Sequence, residues 1–179
     1  MFRRTLTCLL AFGLLASAVF AEDLAETRKK AESGDAKAQF DLGVMYANGD
    51  GVPKDAVEAV KWYRKAAEQG NAKAQTNLGL MYANGDGVPK DQTEAVKWYR
   101  KAAEQGNTNA QYNLGNMYNR GEGVPRDLVQ AHMWWNIAGA KGNEDAKKNL
   151  AIIEKQMSSE QKAEATMRAR ELFERLPKQ

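Results

Sequence analysis

The stretch AKAQFDLGVMYANGDGVPKDAVEAVKWYRKAAEQGN begins at Ala36, and AKAQTNLGLMYANGDGVPKDQTEAVKWYRKAAEQGN begins at Ala72. A looser copy, TNAQYNLGNMYNRGEGVPRDLVQAHMWWNIAGAKGN, begins at Thr108. A constant offset of 36 residues is the mark of stacked supersecondary units, each too small to bury its apolar face alone. Such stacks usually offer a long surface and not an enclosed catalytic pocket.

One copy reads as two helices. Ala38, Leu42, Met45 and Tyr46 fall at i, i+4, i+7 and i+8 and share a helical face. Asn48, Gly49, Asp50 and Gly51 break that helix, because glycine tolerates the left-handed backbone of a tight exit. Pro53 cannot continue it. Asp55 with Glu58 reads as an N-cap and capping box, repeated as Asp91 with Glu94 and Asp127 with Gln130. Ala59, Trp62, Tyr63, Ala66 and Ala67 keep helical spacing, Gly70 ends the second helix, and Asn71 caps the next. Gly43, Ala59 and Ala66 leave room for Tyr46, Trp62 and Tyr63 of neighbouring helices. The predicted core is Leu42, Gly43, Tyr46 and Trp62, with counterparts Leu78, Gly79, Tyr82, Trp98 and Leu114, Gly115, Tyr118, Trp134.

The array has recognisable ends. Residues 22–35 form an N-terminal capping helix, because RKKAESGD parallels YRKAAEQGN. Full repeats follow at 36–71, 72–107 and 108–143. Beyond Asn143 the glycine loop is lost, although Ala146 and Leu150 stay in register over 144–156. Ser158 with Gln161 caps a charged helix running to about Arg175, so 144–179 reads as a C-terminal capping hairpin.

The N-terminus has the layout of a secretory signal peptide: Arg3 and Arg4, an uncharged apolar run over 6–20, then Ala16, Ala18 and Ala21. That run is too short for a span of about 20 residues. Cleavage falls after Ala21 or after Ala18, and the localisation expected is periplasmic or secreted. Cys8, the only cysteine, would leave with the signal, so the mature chain holds no disulfide, thiol nucleophile or thiolate metal site. Net charge is +3; without Arg3 and Arg4 it is +1. Lysines and arginines alternate with glutamates, so no one-signed stripe marks a nucleic-acid face.

The column pattern A-x-A-Q-x-x-L-G-x-M-Y-x-x-G-x-G-V-P-x-D followed by A-x-x-W-Y-x-x-A-A-x-x-G-N resembles the Sel-one-like repeat family, cousins of tetratricopeptide repeats. Trp134 and Trp135 replace the Trp-Tyr pair in the third repeat. The resemblance implies an all-α, right-handed α/α superhelical solenoid of antiparallel helix hairpins. It also implies a protein-interaction scaffold, with no shared catalytic residue.

The two closest repeats differ at Phe40/Thr76, Asp41/Asn77, Val44/Leu80, Ala56/Gln92 and Val57/Thr93. Tetratricopeptide relatives line a concave groove with the inner face of the first helix. By that resemblance Lys37, Phe40, Val44, Lys73, Thr76, Leu80, Asn109, Tyr112 and Asn116 line it here. Such a strip suits an extended peptide, with asparagines on its backbone and lysines on a carboxylate. Unconstrained drift of the same columns is the other reading.

Other features carry no chemistry. The 48–51 turn lacks the fifth and twelfth ligands of a calcium loop, Val52 standing at the fifth. Its glycines fail the spacing of a phosphate loop. His132, the only histidine, has no second ligand and no Ser-acid partners in the sequence, and reads as a packed residue. The acidic columns already cap helices. The expectation is an exported, non-enzymatic repeat protein without cofactor or metal, binding a protein or peptide through its concave face. Two alternatives stand beside it: a cell-wall enzyme acting on peptidoglycan or β-lactams, and a secreted factor engaging another cell. The first is weakened because cysteine-rich relatives described with β-lactams have a cysteine framework this chain lacks.

Overall fold

The computed structural model describes residues 24–177; the segment 1–21 expected to be a signal peptide, with Cys8, lies outside the described residues. Every described element is helical. A helix at 24–32 (α1) precedes α2 (Ala36–Asn48), α3 (Ala56–Glu68), α4 (Ala72–Asn84), α5 (Gln92–Glu104), α6 (Thr108–Arg120), α7 (Leu128–Ala140), α8 (Glu144–Ile153), a 3-10 turn (Glu154–Gln156) and α9 (Ser159–Arg175).

The boundaries follow from local chemistry. Asp55, Asp91 and Asp127 accept backbone N–H groups at the starts of α3, α5 and α7, and Asn71, Asn107 and Asn143 do so for α4, α6 and α8. Among the described residues the reciprocal capping box forms only at Ser158 and Gln161. The Glu58 carboxylate expected to close the box at α3 pairs instead with Lys61, and Glu94 pairs with Lys97, because an exposed i,i+3 lysine offers a charged donor. Gly49 leaves α2 in the left-handed conformation, φ 88°, and its N–H bonds the Met45 carbonyl.

The elements stack as an α/α solenoid, with α2 to α8 each packing chiefly on chain neighbours. Leu42, Leu78 and Leu114 are fully buried between paired helices. Complete burial of such a side chain contributes roughly 1.5–3 kcal/mol. Consecutive repeats are joined by one recurring bond. Gln39 Nε2 donates to the Ala31 carbonyl, Gln75 Nε2 to Ala67 and Gln111 Nε2 to Ala103, each at 3.0 Å. These glutamines sit in the core, each with its Nε2 donor satisfied across the joint.

The aromatic core differs from the expected set. Tyr63, Tyr99 and Trp135 are buried, their rings against Gly43, Gly79 and Gly115 of the same hairpin. Trp98 and Trp134 are buried too, but Trp62 is only half-buried. Its ring carries Lys65 Nζ 4.0 Å from the centroid, as Trp98 carries Lys101 at 4.3 Å. Tyr46, Tyr82 and Tyr118, expected in the core, are likewise half-buried. Each keeps its hydroxyl at the surface, accepting from Arg28 (3.1 Å), Arg64 (2.7 Å) and Arg100 (2.7 Å) of the preceding second helix. A phenol with an apolar body and a polar tip suits that edge.

The C-terminal pair is not a further repeat hairpin. The principal partner of α9 is α7, not α8. Ala169 and Leu176 join the cluster of Val96, Tyr99 and Trp134, and Ala165 joins that of Ala131 and Trp135. Without the glycine loop, α8 runs into the 3-10 turn, and α9 folds back across the second helices.

Candidate partner-binding surface

The starts of α2, α4 and α6 bound one open concavity, lined by Lys37, Phe40, Asp41, Asn71, Ala72, Lys73, Asn107, Thr108 and Asn109. Residues from three successive repeats can face one space only if the stack curves with its first helices inside. Of the residues predicted for the groove, Lys37, Phe40, Lys73 and Asn109 are gathered there. The Phe40 ring is partly buried, its centroid 5.9 Å from that of Tyr63, so it forms a fixed apolar floor.

The remaining predicted residues lie elsewhere. Thr76 is buried, and its hydroxyl donates to the Ala72 carbonyl at 2.8 Å. A helical threonine satisfies itself on the preceding turn, so Thr76 offers no groove donor. Val44 packs with Ala59, Tyr63 and Leu78, and Tyr112 with Ala131 and Trp135. Leu80 is 46% exposed. Asn116 belongs to a separate pocket, where its Oδ1 accepts from Asn149 Nδ2 at 3.3 Å.

Sequence reasoning missed Asn71 and Asn107, because a helix-capping role already accounted for them. Their Oδ1 atoms do cap, accepting from Ala74 N and Ala110 N at 3.0 Å each. A carboxamide also carries two donors, and these remain for a ligand.

Charge is unevenly spread over the concavity. Lys37 Nζ lies 2.8 Å from Asp41 Oδ2, and that hydrogen bond and negative charge raise the Lys37 pKa. Both side chains are solvated, so the pair contributes little stability. Lys73 occupies the equivalent position in the next repeat, with Asn77 where Asp41 stands. One positive charge is therefore left over along the lining. The groups present are two lysines, the Asp41 carboxylate, three carboxamides, the Thr108 hydroxyl and a phenyl ring.

His132 is buried, with Nε2 3.0 Å from Glu154 Oε1 and Nδ1 lacking a partner among the described residues. It ties α7 to the 3-10 turn. Among the described residues no cluster of histidine, cysteine or carboxylate side chains could hold a metal, and no helix is long and apolar enough to cross a membrane.

The sequence profile of the Sel1 repeat matches residues 36–71, 72–107 and 108–143. A Sel1 repeat protein from Oxalobacter formigenes is 49% identical with a TM-score of 0.67, over 72% of this chain and 97% of its own. The protein c5321, a protective antigen present in uropathogenic Escherichia coli strains and displaying an SLR fold, is 40% identical with a TM-score of 0.80. That match covers 85% of this chain but 32% of c5321. The Helicobacter pylori cysteine rich protein B shares the fold, with a TM-score of 0.59 at 24% identity over 75% of this chain and 96% of its own. No curated protein matches the chain. Three matched blocks spanning most of the chain, on a solenoid of matching architecture, make this chain a member of the Sel1 repeat family.

Proposed function

We propose that this chain is an exported, non-enzymatic scaffold that holds an extended segment of a partner protein along the inner face of its first helices. Sel1 repeat proteins generally mediate protein–protein interaction, and such scaffolds are typically non-enzymatic. The observation that carries the reading is the concavity shared by α2, α4 and α6, with Phe40 as an apolar floor and Lys73 as an unbalanced cation. An extended segment places alternate side chains toward such a floor and leaves its main chain for Asn71, Asn107 and Asn109. An acidic group on the partner meets Lys73.

A photo-crosslinker at position 109 tests it, read in the parent protein and in a Phe40→Ala, Lys73→Glu variant. The parent captures a defined partner, and the variant loses it while its circular dichroism stays helical. Capture that survives both changes removes the groove from the function. Export rests on the pattern of Arg3, Arg4 and the apolar run over 6–20. Cell fractionation and N-terminal sequencing of the mature protein check it, with Glu22 or Val19 as the expected first residue.

A further inference from the structure

We infer that the pocket between α6 and α8 is a second contact on the same partner, built to hold peptide main chain. It rests on the reading of the inner face as a peptide surface, and it extends that reading to a separate pocket at the C-terminal end. The pocket is lined by Asn116, Asn119, Asn149 and Gln156, with Arg120 and Ile152 at its rim. It contains no carboxylate, so it does not select a cation.

The repeats themselves single it out. Asn116 stands in the column of Val44 and Leu80, and Asn119 in the column of Ala47 and Ala83. Apolar positions of the first two repeats thus become carboxamides in the third. The bond from Asn149 Nδ2 uses one lone pair of Asn116 Oδ1, leaving the Asn116 amino group and the Asn149 oxygen. Each carboxamide offers donors and an acceptor together, the complement of an extended main chain presenting alternate N–H and C=O groups.

The same column brackets the pocket with apolar side chains. Leu80, one repeat before Asn116, is 46% exposed, and Ile152, one repeat after, is 59% exposed. Exposed aliphatics on either side of an amide cluster match a segment whose alternate side chains are apolar. A glycan fits less well, since sugars bind on open aromatic faces. The one indole here, Trp135, is 2% exposed, with Nε1 committed to the Tyr112 carbonyl at 3.1 Å.

The test is titration with a fluorophore-labelled acetyl-Ser-Leu-Ser-Leu-Ser-amide. The parent binds it saturably. The Asn116→Leu, Asn119→Ala variant carries residues the second repeat already accommodates, so it folds, and it binds at least about tenfold more weakly. The backbone N-methylated pentapeptide fails to bind. The Phe40→Ala, Lys73→Glu variant keeps the parent affinity, which separates this pocket from the groove. The inference is overturned by absent pentapeptide binding or by equal affinity in the asparagine variant. Binding of the N-methylated peptide, or of a chitin oligosaccharide in its place, overturns it as well. Loss of binding only in the Phe40, Lys73 variant places the peptide in the groove and overturns it too.

Discussion

The ring of Tyr63 fills the space a β-carbon on Gly43 would need, with Cδ1 2.6 Å from that point. The same contact recurs between Gly79 and Tyr99 at 2.8 Å and between Gly115 and Trp135 at 2.5 Å. It sets how closely the two helices of each hairpin approach. Replacing Gly79 with alanine forces the buried Tyr99 ring aside, at an overpacking cost of about 1–3 kcal/mol. Helix propensity returns roughly 1 kcal/mol. Packing wins, and Gly79→Ala should lower stability by up to about 2 kcal/mol in urea unfolding, whereas propensity alone would raise it.

That contact also marks where sequence reasoning reaches its limit. The period, the caps at Asp55, Asn71 and Ser158, and the buried leucine column were legible, because each depends on spacing within one helix. Choosing between Trp62 and Tyr63 was harder. Adjacent residues lie about 100° apart on a helix, and spacing alone does not say which of the two rings faces the paired helix. In the binding surface, Lys37, Phe40, Lys73 and Asn109 were readable as one column family. The pocket around Asn149 and Gln156 was not, because it depends on α8 running into a 3-10 turn and α9 crossing to α7, long-range packing that no spacing encodes.

The glutamine joints between repeats are complete twice and incomplete once. Gln69 Nε2 donates to Gln39 Oε1 and Gln105 Nε2 to Gln75 Oε1, both at 2.7 Å. In the third repeat the donor position holds Lys141, which bonds the Gly106 carbonyl at 2.9 Å, and Gln111 Oε1 is buried without a partner among the described residues. An unpaired buried acceptor costs about 1–3 kcal/mol, and a glutamine at position 141 exchanges the part-buried lysine bond for the one the other two joints make. Lys141→Gln should therefore stabilise the protein by about 1 kcal/mol in denaturant titration. A loss of stability would mean that the Lys141 bond outweighs the missing one.

Burial raises the Tyr99 pKa above its ordinary 10.0, and it raises that of Tyr63 against a smaller opposing bond from Asn77. The folded chain holds these protons after the unfolded chain has released them. Stability is then full below pH 10 and falls as pH climbs beyond it. Tyr99→Phe has no proton to lose at that site, so its decline between about pH 10 and pH 11 should be shallower than that of the parent. Urea midpoints across that range measure both slopes, and parallel slopes would contradict the buried phenol as the source.

Gly51 and Gly87 occupy the same loop position and differ only in what lies beyond. Their φ values are 71° and 69°, so alanine pays the same left-handed strain at either, about 1–2 kcal/mol. Among the described residues, the added β-carbon at Gly51 meets only the Met45 methyl at 3.6 Å, whereas at Gly87 it runs into the Ala56 carbonyl and the Val57 amide of the preceding repeat. Backbone cannot swing away as a side chain can, so accommodating alanine there means parting two repeats. Gly87→Ala should cost at least about 2 kcal/mol more than Gly51→Ala, a size reached only when a packed contact is broken. Equal losses in the two variants would show that the loop glycines serve the turn alone and that consecutive repeats are held together by their helices.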